Sequence, residues 1–160
     1  MQGIGRMTEE DLTFNLDYGT LYKDLLEAHN LARMLDEETR VEEKISAYGH
    51  VLNIVGQLHS ISLEEKENAY AERKFQEGEF YFMYREGRGE DKVKHSTVDA
   101  KYKAEKDLIP FRQNEGEWIR QAKRWENARN YIQEQINILK KVQQRQHIEM
   151  SQLNMSRGRA

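Results

Sequence analysis

Residues 111–153 read FRQNEGEWIRQAKRWENARNYIQEQINILKKVQQRQHIEMSQL. Phe111, Trp118, Ala122, Trp125, Ile132, Ile136, Leu139, Met150 and Leu153 fall on one four-three register, the narrow seam of a coiled-coil type of helix. Arg129, Gln143 and Gln146 take three seam places, so the stripe is imperfect. As one helix the stretch would reach about 65 Å at about 1.5 Å per residue. A seam of that length needs an antiparallel helix of the same chain, a neighbouring subunit, or both. The expected fold is all-α and elongated, with long antiparallel helices. It oligomerises through the C-terminal helix, with Trp118, Trp125, Ile132, Ile136 and Leu139 as the contact between subunits.

The sequence before this stretch supplies the other helices. Pro110 either kinks or restarts the chain's helical course, because it lacks a donor and clashes one turn back. Ser96-Thr97-Val98-Asp99 is a capping box and opens a helix carrying Val98, Tyr102, Leu108 and Ile109. Further back, a helix passes through Tyr70, Phe75 and Tyr81 to about Tyr84 and stops at Gly87-Arg88-Gly89. Its expected start follows a break at Ser60-Ile61-Ser62, with Ser62 as N-cap before Glu64 and Glu65. The antiparallel partner is expected from Thr20 to about Leu58. It carries Leu21, Leu25, Ala28, Ala32 and Leu35, then Val41, Ile45, Tyr48, Leu52 and Val55 after a small phase shift. Gly49 and Gly56 weaken it, each by around 1 kcal/mol relative to Ala.

Thr8-Glu9-Glu10-Asp11 opens a short first helix, and Asn15, Asp17 and Gly19 mark the turn after it. Met7 offers an alternative start, with residues 1–6 as an unstructured extension. Residues 1–160 read as a single helical domain with disordered ends at 1–7 and 155–160. No segment reads as a strand.

Composition narrows the function classes. The chain has 160 residues, 38% of them apolar and 33% charged, so long helices burying one stripe fit better than a thick core. With no cysteine there is no disulfide framework, no Cys-ligated metal and no thiol nucleophile. No apolar run is long enough for a membrane span, and the first residues lack the apolar core of a signal peptide. A cytoplasmic setting is expected. The net charge of -3 hides a polarity: residues 1–72 hold fifteen acids against six Lys and Arg, and residues 73–160 hold thirteen against nineteen. Either the basic half faces a polyanion, or subunits meet head to tail, or acidic and basic helices of one chain pack side by side.

Catalytic chemistry finds little footing. None of the five histidines lies three residues after an acid, and neither a His-Glu-x-x-His helix nor a Walker loop is present. Glu37-Glu38, Glu42-Glu43 and Glu64-Glu65 read as solvated helix faces. A non-enzymatic protein without cofactor or metal is expected.

One segment does carry binding chemistry. Residues 81–95 read YFMYREGRGEDKVKH, with rings, glycines and cations side by side. Single strands are held by cations along the phosphates and aromatic faces under the bases. Arg73, Lys74, Arg85, Arg88, Lys92, Lys94, Lys101 and Lys103 supply the cations, with Tyr84 and Tyr102 as stacking rings. Gly87 and Gly89 let backbone N–H groups approach a phosphate. The alternative is a plain turn between helices, and seven acids against nine cations leave residues 73–106 at only +2.

The order of these features resembles the UvsY-like recombination mediators of tailed phages related to the T-even group. The shared elements are an Asp-x-x-Thr turn into a helix with Glu27, Ala28 and Asn30, then Tyr84 with Gly87-Arg88-Gly89-Glu90. A lysine-rich stretch, the Trp125 region and Arg145–Leu153 complete the order. Glu79 and Tyr81 stand where the T-even member is basic, and the chain has extra residues near Gly49–Ser62. The resemblance implies a helical, ring-forming homo-oligomer that binds single-stranded DNA. It would help load a RecA-like recombinase onto strands covered by a single-strand-binding protein, in the host cell cytoplasm. The competing class is a helical scaffold or adaptor protein of a phage, which uses the same seams purely for assembly.

Overall fold

The computed structural model describes residues 18–157. Four helices follow in order: α1 (Tyr18–Met34), α2 (Val41–Glu86), α3 (Thr97–Asp107) and α4 (Ile109–Arg157). The described residues contain no strand, so the all-α expectation holds. The capping box at Thr8 and the turn residues Asn15 and Asp17 lie outside the described residues, while Gly19, read as part of that turn, already belongs to α1.

The chain divides into two compact units. Of the described residues, one takes 18–54 together with 138–157, and the other is 55–137. In the first unit, Leu21, Ala28 and Ala32 of α1 are buried, as are Val41, Tyr48, Val51 and Ile54 of α2 and Leu139 of α4. The His29 ring meets Tyr48 edge-on, with centroids 6.2 Å apart. Burial, and then the nearby Arg33 charge, lower the His29 pKa.

The helix expected from Thr20 to Leu58 is broken at residues 35–40 instead. Asp36 is the cause. Its Oδ1 accepts the backbone N–H groups of Glu38 and Thr39 at 2.9 and 2.8 Å, and the Thr39 hydroxyl at 2.9 Å. Such a side chain outcompetes helical bonding locally. Gln146, a polar seam place on α4, donates through Nε2 to the Glu38 carbonyl at 2.8 Å. Gln143 donates to the Glu42 carboxylate at 3.1 Å. The imperfect seam places therefore hold the entry into α2.

In the second unit, Val55, Leu58, Ser62 and Ala69 of α2 are buried with Ala100 and Ala104 of α3, Leu108, and Ala122, Trp125, Ile132 and Ile136 of α4. The expected break at Ser60–Ser62 is absent, for α2 runs through it. Ser62 is fully buried and donates its hydroxyl to the Leu58 carbonyl at 2.8 Å. A serine that bonds one turn back is satisfied inside a helix and has no need to cap one. Here α2 and α4 run antiparallel, with the Arg73 guanidinium on Glu115 and the Phe80 and Phe111 rings 6.0 Å apart. Pro110 restarts the chain. Leu108 closes α3 and its carbonyl accepts the Arg112 N–H at 3.0 Å, so proline falls in the first turn of α4, where helical N–H groups have no partner anyway.

Four of the five residues expected to join subunits are covered by their own chain. Trp125, Ile132, Ile136 and Leu139 are between 2% and 5% exposed, and Trp118 is half-buried. Cores of the two units use them up. Among the large apolar places of this register, Met150 and Leu153 near the end of α4 are the exposed ones in the described residues, at 61% and 60%.

Candidate nucleic-acid interface

The basic segment sits where α2 ends and the chain turns into α3. Gly87 adopts φ +73, a left-handed conformation that favours glycine, and the Arg88 N–H reaches back to the Met83 carbonyl at 2.9 Å. A Cβ on Gly87 would lie 3.1 Å from Lys94 Cγ. Gly89 is buried under the Tyr84 ring, where a Cβ would meet Cε1 at 3.1 Å. The turn's backbone thus favours glycine at 87, and the Tyr84 ring leaves little room for a side chain at 89. Ser96 caps α3, accepting the Asp99 N–H at 3.2 Å.

Tyr84 is the hub. Its hydroxyl donates to Asp107 at 2.5 Å, the His95 ring packs edge-on with centroids 5.8 Å apart, and Lys103 Nζ stands over the ring at 5.4 Å. The bond to Asp107, reinforced by desolvation, pushes the Tyr84 pKa up to about 12. Asp91 is the second knot. It accepts Lys103 Nζ at 2.5 Å and the Val93 N–H at 3.2 Å, and lies 2.7 Å from His95 Nε2. The Lys103 bond leads in holding its carboxyl well below the ordinary range, followed by Val93 and His95. Sequence reasoning missed Asp91, His95 and Asp107 as organisers. Only Asp91 carried a local signal, as a turn-forming Asp bonding the backbone two residues on.

These contacts sort the ten candidates. Arg73 is an internal tie, with its guanidinium on Glu115, 3.5 Å from Glu77 and 5.2 Å from the Tyr70 centroid. Lys103 and Tyr84 are spent on the turn. Arg85 donates to the His95 carbonyl at 2.8 Å, Arg88 pairs with Glu86 at 2.7 Å, and Lys74 pairs with Glu77 at 3.0 Å. All three remain exposed, and exposed pairs of this kind exchange readily. Lys92, Lys94 and Lys101 are exposed, and none has an ion-pair partner among the described residues. Tyr102, beside Lys101, is 68% exposed. The structure therefore leaves Lys92, Lys94, Lys101 and Tyr102 open, with Arg85, Arg88 and Lys74 exposed as well. Lys92 also holds φ +52, unusual for a residue with a side chain.

Among the described residues, no group of three or more His, Asp or Glu side chains is placed to hold a metal ion. None of their helices is long and apolar enough to cross a membrane. Comparison with models of protein families, with curated proteins and with solved structures found no match.

Proposed function

We propose that the protein is a non-enzymatic, single-stranded-DNA-binding recombination mediator of a phage. It helps load a RecA-like recombinase onto strands covered by a single-strand-binding protein, in the host cell cytoplasm. The observation that carries this reading is the exposed set Lys92, Lys94 and Lys101, without ion-pair partners among the described residues, together with the exposed Tyr102 ring. Lysines without acidic partners are free to replace the counterions of a phosphate backbone, and an exposed ring offers a sequence-tolerant stacking face.

One copy of so small a cationic set binds weakly. A ring-like homo-oligomer repeats it, and effective concentration along one strand then raises affinity by about 10²–10⁴. Met150 and Leu153, with the neighbouring Ile148 and Met155, are the exposed apolar residues that this reading assigns to the contact between subunits.

The scaffold reading has one observation in its favour. Phe75 and Phe82 of α2 are 65% and 54% exposed, which suits a protein partner better than a phosphate backbone. The two readings part in a loading assay. Added to a RecA-like recombinase and DNA coated with single-strand-binding protein, a mediator shortens the lag in DNA-dependent ATP hydrolysis. A scaffold leaves the lag as it was.

A further inference from the structure

Two of the candidate cations, Lys74 on α2 and Lys101 on α3, are brought to the rim of one groove of about 510 Å³. That volume lies within the range of small-ligand sites. Its lining includes Gly78, with Ala104 and Leu108 only 3% and 1% exposed. Tyr81, one turn beyond Gly78, contributes an aromatic side chain to the lining. Packing within the chain does not require glycine at position 78, because a Cβ built there meets nothing within 4 Å. Glycine is disfavoured in the middle of a helix, and without a side chain at position 78 the α2 backbone lies open to the groove.

The rim charges indicate what fits. Lys74 is bonded to Glu77 at 3.0 Å, and Lys101 shares the rim with Glu105. With Lys74 spent on Glu77 and Glu105 paired to Arg112 at 3.6 Å, two carboxylates line the groove and do not favour a polyanion inside it. They suit a flat, neutral group with donors and acceptors on its edge, whose own charge stays outside. We propose that this groove takes one nucleobase of a bound single strand against Tyr81, while Lys101 and the neighbouring lysines hold the phosphates. The inference rests on the strand-binding reading and adds to it a base-holding site that includes Gly78 and Tyr81.

The test compares short oligo(dT) with an abasic strand of equal length, on the full chain. Wild type is expected to bind oligo(dT) more tightly than the abasic strand. Tyr81→Ala removes the platform, and Gly78→Leu fills the groove from a position where the backbone has room. Each should weaken oligo(dT) binding by roughly 5- to 150-fold, the worth of one stacked base, and leave abasic binding unchanged. Circular dichroism confirms that both variants stay helical. If wild type binds the two strands equally, or if neither variant changes oligo(dT) binding, the groove holds no base, although phosphate contact by the lysines stands. If wild type binds neither strand, both readings fall.

Discussion

The hydroxyl of Tyr84 donates to the carboxylate of Asp107 at 2.5 Å and so ties the last turn of α2 to the last turn of α3. The bond favours the neutral phenol, which is why the pKa rises from 10.0 to about 12. A group whose pKa is raised by folding contributes stability that is present below the unfolded value. That contribution disappears as pH climbs through the folded one. An absorbance titration of tyrosinate should therefore show a step near pH 12 that Tyr84→Phe deletes. Late ionisation that persists in Tyr84→Phe would assign it to another ring.

Asp91 has the opposite sign. Its carboxyl is depressed below the usual 3.8, first by Lys103 and then by the Val93 N–H and His95. The stability it contributes is present above the unfolded pKa and is lost as pH falls through the lower folded value. Asp91→Asn should flatten the acid limb of a stability profile and leave its alkaline limb in place. Denaturant melts at several acidic pH values measure this, and an unchanged acid limb would mean that the turn does not depend on Asp91.

The cores of the two units make a further demand. Ile132→Ala and Ile136→Ala remove side chains that are 4% and 5% exposed, so each should cost about 2–5 kcal/mol of stability. Neither should change the particle mass of the protein that remains folded. Met150→Asp with Leu153→Asp should do the reverse, leaving melting near wild type and reducing mass in analytical ultracentrifugation. A mass that follows Ile132 and is indifferent to Met150 and Leu153 would return the subunit contact to the middle of α4.

How much of this was legible in the sequence varies by residue type. Period and caps were: the apolar register of residues 111–153 gives one helix, and Ser96 caps α3 as its Ser-x-x-Asp pattern indicates. Serine and aspartate misled in the middle of the chain. Ser62 read as a cap because its hydroxyl has two uses, and only burial against neighbouring side chains favours the bond to Leu58. Asp36 lies within the stretch read as one helix from Thr20 to Leu58, yet three hydrogen bonds to its Oδ1 make it the breaker. At the candidate site, the positions of the cations were legible but not their occupation. Pairings such as Arg73–Glu115 and Lys103–Asp91 join residues far apart in sequence, and no local pattern encodes them.

Gly49 and Gly56 lie inside α2, and a Cβ at either meets nothing within 4 Å. Gly49→Ala and Gly56→Ala should each stabilise the protein by about 0.5–1 kcal/mol through helix propensity. Thermal melts followed by circular dichroism read the gain, and a loss of stability at either position would mean that the glycine is needed for a close approach between chains.

The most direct measurement for the proposed function is fluorescence polarisation of labelled oligo(dT) across a range of salt concentrations. It is made with wild type and with a triple variant, Lys92→Gly, Lys94→Gln and Lys101→Ala. Glycine suits the positive φ at position 92, and glutamine keeps much of the Lys94 stem beside Gly87, so the turn survives the loss of charge. Wild type should bind with a log–log salt slope of about -0.7 per phosphate contact. The triple variant should bind more weakly to every sequence and with a shallower slope, at unchanged helicity and mass. Equal affinity and equal slope for the two proteins would contradict strand binding through these lysines and leave the segment as a turn between two helices.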